Sequence, residues 1–336
     1  MKILVTGAAG FIGFHVARAL LGSGHAVVGL DNCNPYYDVV LKRRRLALLR
    51  NFSDFVFFEA DLADAAFVDT LFAEQCPEIV IHLAAQAGVR HSIENPGSYI
   101  QSNMVGFHVI LENCRRHPVS HLVYASSSSV YGLNSALPFS EADRTDHPAS
   151  LYAATKRSNE LMAHAYSHLY SIPVTGLRFF TVYGPWGRPD MAPFIFTKAI
   201  LEGSPIRIFN NGQMQRDFTY IDDIVTGVVR IMEHIPAPDP SWSGDAPLPF
   251  SSSASFRIYN IGNNQAVPLE SFIAALEDAL RKKAVREYLP MQMGDVVATY
   301  ADINFLRDAV GFSPETPIDV GIPRFIAWYK EYHGLR

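Results

Sequence analysis

Tyr152-Ala153-Ala154-Thr155-Lys156 sets a phenol and an ammonium four residues apart, which places both on one face of a helix. A neighbouring ammonium stabilises phenolate, so this spacing predicts a tyrosine able to exchange protons at neutral pH. The pair lies downstream of Ser126-Ser127-Ser128-Ser129, whose hydroxyls could share the proton of a substrate alcohol. Such a set removes O–H while the adjacent carbon gives up hydride, provided that a hydride acceptor is bound. A second motif supplies the place for one. Gly7-Ala8-Ala9-Gly10-Phe11-Ile12-Gly13 follows a short apolar run and opens a helical pattern. Glycines allow a tight turn and close backbone approach to a pyrophosphate, and the helix N-terminus offers N–H donors to it. Asp31 closes the next apolar run, where a carboxylate accepts from ribose hydroxyls and repels a 2′-phosphate. NAD is therefore expected in preference to NADP.

These residues need a scaffold, and the apolar pattern provides one. Strands are predicted at 3–6, 26–31, 55–60, 79–83, 121–126 and 174–180, as continuous apolar runs suited to burial on both faces. Helical patterns fall between them, at 12–21, 65–74, 99–116 and 151–169. That alternation predicts an α/β fold with a doubly wound parallel sheet. Asp61-Leu62 and His82-Leu83-Ala84-Ala85 end the third and fourth strands, where open α/β sheets bind ligands. After about residue 184 Pro and Gly become frequent and the elements shorten. An NAD-binding lobe is thus expected over 1–180 and a smaller, mainly substrate-binding lobe over 181–336, with the chain crossing between them. The segment 236–255, rich in Pro and Ser, reads as a surface excursion.

Composition bounds the partners. The 336 residues are 49% hydrophobic and 18% charged, enough apolar material for a large core. Lys and Arg number 28 against 33 Asp and Glu, a net charge of −5, which argues against a polymeric nucleic-acid partner. No apolar run is long enough for a membrane span. Three scattered cysteines fit a reducing cytoplasm, and no metal-ligand spacing is evident; His164 and His168 lack a third ligand. Lys42-Arg43-Arg44-Arg45 reads as a solvated helix face.

The chain resembles the extended short-chain dehydrogenase/reductase family, and within it the nucleotide-sugar epimerases, over nearly its whole length. The resemblance is carried by the glycine loop, Asp31, Asp61-Leu62, residues 82–85, the serine run, Tyr152/Lys156, RFFTVYGP (178–185) and RDFTYIDDI (216–224). AAQAGVRHSIENP (84–96), YASSSSVYG (124–132) and PWGRPDM (185–191) resemble the UDP-glucuronate 4-epimerase subgroup. The resemblance implies Tyr152, Lys156 and Ser127 as catalytic residues. It implies NAD contacts at Gly7, Gly10, Phe11, Ile12, Gly13, Asp31, Asn32, Asp61, Leu62, Leu83, Ala84, Ala85, Gln86, Asn103, Tyr152, Lys156 and Phe179. UDP-sugar contacts are implied at Gly88, Val89, Arg90, Ser127, Ser128, Ser129, Thr181, Arg188, Arg216, Gln292 and Asp295.

The implied reaction is hydride removal from C4 of a UDP-glucuronate, turning of the 4-keto sugar, and hydride return to give UDP-galacturonate. Thr181 stands where galactose-type relatives carry Asn, and its hydroxyl suits a carboxylate. Gln292 departs from those relatives, which have a second arginine there. UDP-glucose/UDP-galactose 4-epimerisation is the near alternative, followed by sugar-nucleotide decarboxylation or dehydration. Dehydration is disfavoured, because Ser128-Ser129 replace the Asp-Glu pair that eliminates water. The helices at 99–116 and 151–169 carry apolar residues beyond one core stripe, and in this family such helices form a homodimer.

Overall fold

The computed structural model describes residues 1–292 and 294–335. Among the described residues twelve strands occur in chain order: β1 (Lys2–Thr6), β2 (Ala26–Asp31), β3 (Phe55–Glu59), β4 (Ile79–His82), β5 (His121–Ser127), β6 (Val174–Phe179), β7 (Thr181–Tyr183), β8 (Pro205–Ile208), β9 (Gln215–Tyr220), β10 (Phe256–Ile261), β11 (Ala266–Pro268) and β12 (Val285–Tyr288). Seven of them form one parallel sheet in the order β10-β6-β5-β4-β1-β2-β3. The expected doubly wound α/β architecture is therefore present, and the six predicted strands all belong to this sheet. The seventh, β10, comes from the later half of the chain and lies parallel to β6 at the sheet edge. Its sequence FRIYNI carries Arg257 and Asn260 among its apolar residues, which masks the continuous run.

The chain winds outward from β1 through β2 and β3, then returns to build β4, β5 and β6 on the other side. The switch point between β1 and β4 is where such sheets open a crevice. A short hydrogen-bond chain fixes it. The Thr6 hydroxyl accepts from the Ala84 N–H at 3.2 Å and lies 2.9 Å from His82 Nδ1. Burial pushes His82 down to about 3, so the ring is neutral near pH 7.

Helices cover both faces, and their ends follow local chemistry. Asp38, Asp64 and Ser150 cap the helices Val39–Leu49, Ala65–Gln75 and Leu151–Tyr170 through side-chain oxygens that accept first-turn N–H groups. The helix predicted over 99–116 is not continuous: a π-helical segment, Ile100–Val105, precedes the α-helix Gly106–Arg116. The wider turn directs Asn103 inward, onto the backbone of Gln86.

The basic run at 42–45 corrects an expectation. Arg43 and Arg44 are exposed, but Lys42 is 5% exposed and Arg45 is wholly buried. Lys42 turns to the carbonyl and side-chain oxygen of Asn34, and Arg45 to the carbonyl of Ala9 in the glycine loop, rather than to water. Residues from 181 onward build two small sheets, β11-β9-β7 and β12-β8, whose Thr181, Arg207 and Arg216 share a cleft with the carboxyl ends of strands of the large sheet. The 236–255 excursion contains no helix and leads into β10.

Candidate active site

One cleft of about 630 Å³ gathers nearly all of the expected site residues. Gly7, Gly10, Phe11, Ile12, Gly13, Asp31, Asn32, Asp61, Leu62, Leu83, Ala84, Ala85, Gln86 and Phe179 line it, together with Ser127, Tyr152 and Lys156. So do Gly88, Val89, Arg90, Ser128, Ser129, Thr181, Arg188, Arg216 and Asp295. Asn103 and Gln292 are not in the wall. Asn103 stands behind it: its carbonyl accepts from Gln86 N at 2.8 Å, and its amide donates to Gln86 O at 3.0 Å and Thr155 Oγ1 at 3.1 Å. It holds the Gln86 backbone rather than facing the cleft.

The glycine loop is built for close backbone packing. A Cβ at Gly7, which sits at φ +73°, would meet Ala84 N at 2.8 Å. A Cβ at Gly13 would stand 2.1 Å from the Gly7 carbonyl oxygen. The helix Phe11–Gly22 starts at Gly10 with no side-chain cap, so its leading N–H groups face the cleft unclaimed by side chains. Asp31 Oδ2 accepts from Ala9 N at 3.1 Å and Oδ1 from Cys33 N at 2.8 Å. Each oxygen keeps a lone pair for a ribose hydroxyl. This cradle fits a dinucleotide pyrophosphate and its adenosine ribose.

The proton-transfer group sits where β5 meets the helix Leu151–Tyr170. Ser126 and Ser127 alternate on the strand, so their side chains take different roles. Ser126 Oγ donates to Glu160 Oε1 at 2.6 Å and is structural. Ser127 Oγ is 3.1 Å from Ser129 Oγ and accepts from Ser129 N at 3.2 Å, leaving it at the cleft wall. Lys156 Nζ donates to the Ala125 carbonyl at 2.8 Å, which fixes the helix on the strand. Burial pushes Lys156 down to about 8. Burial also raises the Tyr152 phenol, and the opposing pull comes from the Ser127 hydroxyl and the Arg188 charge. The sequence pointed to Lys156 for that pull; in the structure it comes from Ser127 and Arg188 instead, while the Lys156 ammonium donates to Ala125 O.

Arg188 lies in the loop after β7. Its Nε donates to Asp190 Oδ1 at 3.0 Å, its Nη2 to Asp190 Oδ2 at 2.5 Å, and Nη2 also points to Ala87 O at 3.4 Å. At another part of the cleft Arg90 Nη2 pairs with Asp295 Oδ2 at 3.2 Å. Arg216 Nη1 is held by the carbonyls of Gln215 and Val297, at 2.8 and 3.1 Å. Two arginines on fixed backbones suit a diphosphate.

Several lining residues escaped the sequence reading, among them Tyr36, Lys42, Asp190, Arg207 and Phe209. Tyr36-Tyr37 in the polar segment after Asp31 was the available signal for the first. Lys42 donates to Asn34 O at 2.8 Å and to Asn34 Oδ1 at 3.0 Å.

Residues 3–262 match the family model described as the NAD dependent epimerase/dehydratase family. The chain is 53% identical to Protein CapI of Staphylococcus aureus, over 99% of each chain. It is 49% identical to a probable UDP-glucuronate 4-epimerase of Rhizobium meliloti (strain 1021), over 98% of this chain and 97% of that protein. Among solved structures it is similar to UDP-glucuronic acid 4-epimerase from Bacillus cereus in complex with UDP-glucuronic acid and NAD. The TM-score is 0.86 at 34% identity, covering 99% of this chain and all of that one. A match over residues 3–262 with these full-length likenesses, on a glycine loop and tyrosine–lysine helix facing one cleft, makes the chain a member of the NAD dependent epimerase/dehydratase family.

Proposed function

We propose that the protein interconverts UDP-glucuronate and UDP-galacturonate by NAD-dependent epimerisation at C4. The observation that carries this reading is the placing of Arg188 within electrostatic reach of Tyr152, in a cleft that also holds Ser127 and Thr181. A uronate bears its carboxylate on C5, next to the carbon whose hydroxyl must meet the tyrosine. A guanidinium there, held by Asp190, and the Ser127 and Thr181 hydroxyls can donate hydrogen bonds to that carboxylate, which a neutral hexose lacks. Full-length likeness to the uronate epimerases of Rhizobium meliloti and Bacillus cereus supports the same choice.

NAD would be held by Gly7, Gly10, Gly13 and Asp31, and when bound it supplies a reversible hydride acceptor. Tyr152 takes the proton of the C4 hydroxyl and returns it to the keto oxygen, while Ser127 donates to that oxygen. Lys156, fixed on Ala125, holds the tyrosine helix against β5 and keeps a cation beside the reacting groups. Inversion requires the 4-keto ring to present its other face. Arg216 and Asp295 from later segments, with Arg90 from the first half of the chain, hold the nucleotide end meanwhile. The intermediate is a β-keto acid, which loses carbon dioxide when its carboxylate bond lines up with the ketone π system. Arg188, Thr181, Ser128 and Ser129 restrain the carboxylate from that geometry.

Residues 1–180 then serve mainly the cofactor and 181–336 mainly the UDP-sugar, with β10 crossing back into the cofactor sheet. Two copies are proposed to pair through the helices Gly106–Arg116 and Leu151–Tyr170. Leu161, Leu169 and Tyr170 leave apolar surface exposed there, as does Val105 at the start of the first helix. Sedimentation showing only monomer at micromolar protein would remove the dimer. Among the described residues no helix is long and apolar enough to cross a membrane, and three free cysteines suit a reducing compartment, so we place the protein in the cytoplasm.

Incubation with UDP-glucuronate and chromatographic separation of the products tests the activity. UDP-galacturonate should form without carbon dioxide release. Turnover of UDP-glucose or UDP-galactose alone would overturn the uronate reading.

A further inference from the structure

Arg45 is wholly buried, yet it makes no salt bridge among the described residues. A buried cation without a counter-ion is costly unless oxygen dipoles surround it. Arg45 has four of them. Nη1 donates to Ala9 O and Tyr37 Oη, each at 2.8 Å, and Nη2 donates to Trp186 O at 2.6 Å and Gly187 O at 3.2 Å. Ala9 belongs to the glycine loop, and Trp186 and Gly187 lead directly into Arg188. One guanidinium therefore joins the cofactor loop to the loop that carries the substrate cation.

The backbone it grips is strained. Trp186 sits at φ +61°, in the left-handed region that bulky residues avoid. Such a conformation persists only where surroundings over-determine it. The indole ring is lodged against Phe14, Trp328 and Tyr332, with ring centroids 5.7, 5.4 and 5.5 Å away, while Arg45 holds the carbonyl. Tyr36, from the same segment after β2, completes the arrangement. Its hydroxyl donates at 3.0 Å to Asp190 Oδ2, the carboxylate that clamps Arg188.

We propose that Arg45 and Tyr36 are positioning residues for Arg188, setting the affinity for a carboxylate-bearing sugar through the placement of its guanidinium. Arg45 fixes the backbone before Arg188 and Tyr36 fixes the partner of its side chain. The inference rests on the reading of Arg188 as the carboxylate's partner. A lysine at 45 keeps the charge but cannot fork to carbonyls on both loops, so it is the informative replacement.

The test uses NAD-loaded protein and calorimetric titration with UDP-glucuronate and, separately, with UDP, which lacks the sugar. Arg188→Ala should weaken UDP-glucuronate by about tenfold or more and leave UDP within about twofold. If it does not, the carboxylate reading itself fails, and this inference with it. Given that result, Arg45→Lys kept at saturating NAD should weaken UDP-glucuronate by about five- to tenfold, with UDP within about twofold. Tyr36→Phe should follow the same pattern at about threefold, and it decides the matter should Arg45→Lys not fold. UDP-glucuronate affinity within twofold of the parent, or a parallel loss of UDP, overturns the positioning role while leaving the Arg188 reading standing.

Discussion

Glu160 and Arg178 form a two-bond ion pair, Oε1 2.9 Å from Nε and Oε2 3.0 Å from Nη2, and both side chains are fully buried. Glu160 stands eight residues after Tyr152 and four after Lys156, on the same helix face. It also accepts from Ser126 on β5 and from Arg157, while Arg178 on β6 reaches Tyr131 Oη at 3.0 Å. The pair therefore sets the height of the tyrosine helix relative to the serine strand. Burial works against ionisation of Glu160, and the Arg178 charge overcomes it. Glu160→Gln should cost about 3–5 kcal/mol, because it strands the Arg178 charge in the core. Urea unfolding checks this, and a loss below about 1 kcal/mol would mean that the pair does not hold the helix.

Tyr152→Phe removes one hydroxyl and no packing volume. It should lower kcat by about 10²–10⁴, the usual worth of a positioned acid–base group, and leave UDP-glucuronate affinity within a few-fold. Product formation and calorimetry on the same preparation separate the two effects. Turnover near the parent's would exclude the phenol as the proton carrier.

Gly13→Ala should abolish cofactor retention. The new methyl would stand 2.1 Å from the Gly7 carbonyl oxygen and 2.7 Å from its carbon, both main-chain atoms that cannot swing aside. Gly22→Ala is the matched control, since nothing lies within 4 Å of a Cβ there. NAD released by heat after gel filtration is the measurement. Equal NAD in both variants would sink the role given to the loop.

The sheet and the cleft floor were legible because their signals are local. Apolar runs mark buried strands, glycines mark the phosphate turn, and a four-residue spacing marks the tyrosine–lysine face. What the sequence hid depends on pairing across distance. β10 carries Arg257 and Asn260; Asn260 is buried because its amide donates to Phe139 O and Asp302 O and its Oδ1 accepts from Tyr131 Oη, while Arg257 donates back to the Phe256 carbonyl. Lys42 and Arg45 read as solvated by charge alone, and their burial depends on carbonyls from residues 9, 34, 186 and 187. Asn103 shows the same limit in reverse: its position in the sequence pointed to the cofactor, but its amide is spent on Gln86 and Thr155.

Glu141 gives the fold a pH signature that a single variant isolates. Its side chain is fully buried; Oε1 accepts from Asn260 N at 2.7 Å, and Oε2 has no partner among the described residues. Burial pushes the carboxyl up to about 7, with the Asn260 N–H and Arg178 pulling the other way. A folded pKa above the unfolded value means that the folded chain binds the extra proton. Its contribution to stability is thus present at low pH and lost as pH rises from the ordinary carboxylate range through about 7. Gln mimics the protonated form at every pH. Buried His15, His82 and His121 shift stability the opposite way below pH 6.5, but equally in both proteins, so the difference between them reports Glu141 alone. Relative to the parent, Glu141→Gln should gain stability by about 2–3 kcal/mol between about pH 5 and 7.5, then level off. Urea midpoints for both proteins at about pH 5, 6, 7.5 and 9 test it. A gap that does not widen with pH would show that Glu141 is ionised in the folded core, with its buried oxygen satisfied by water.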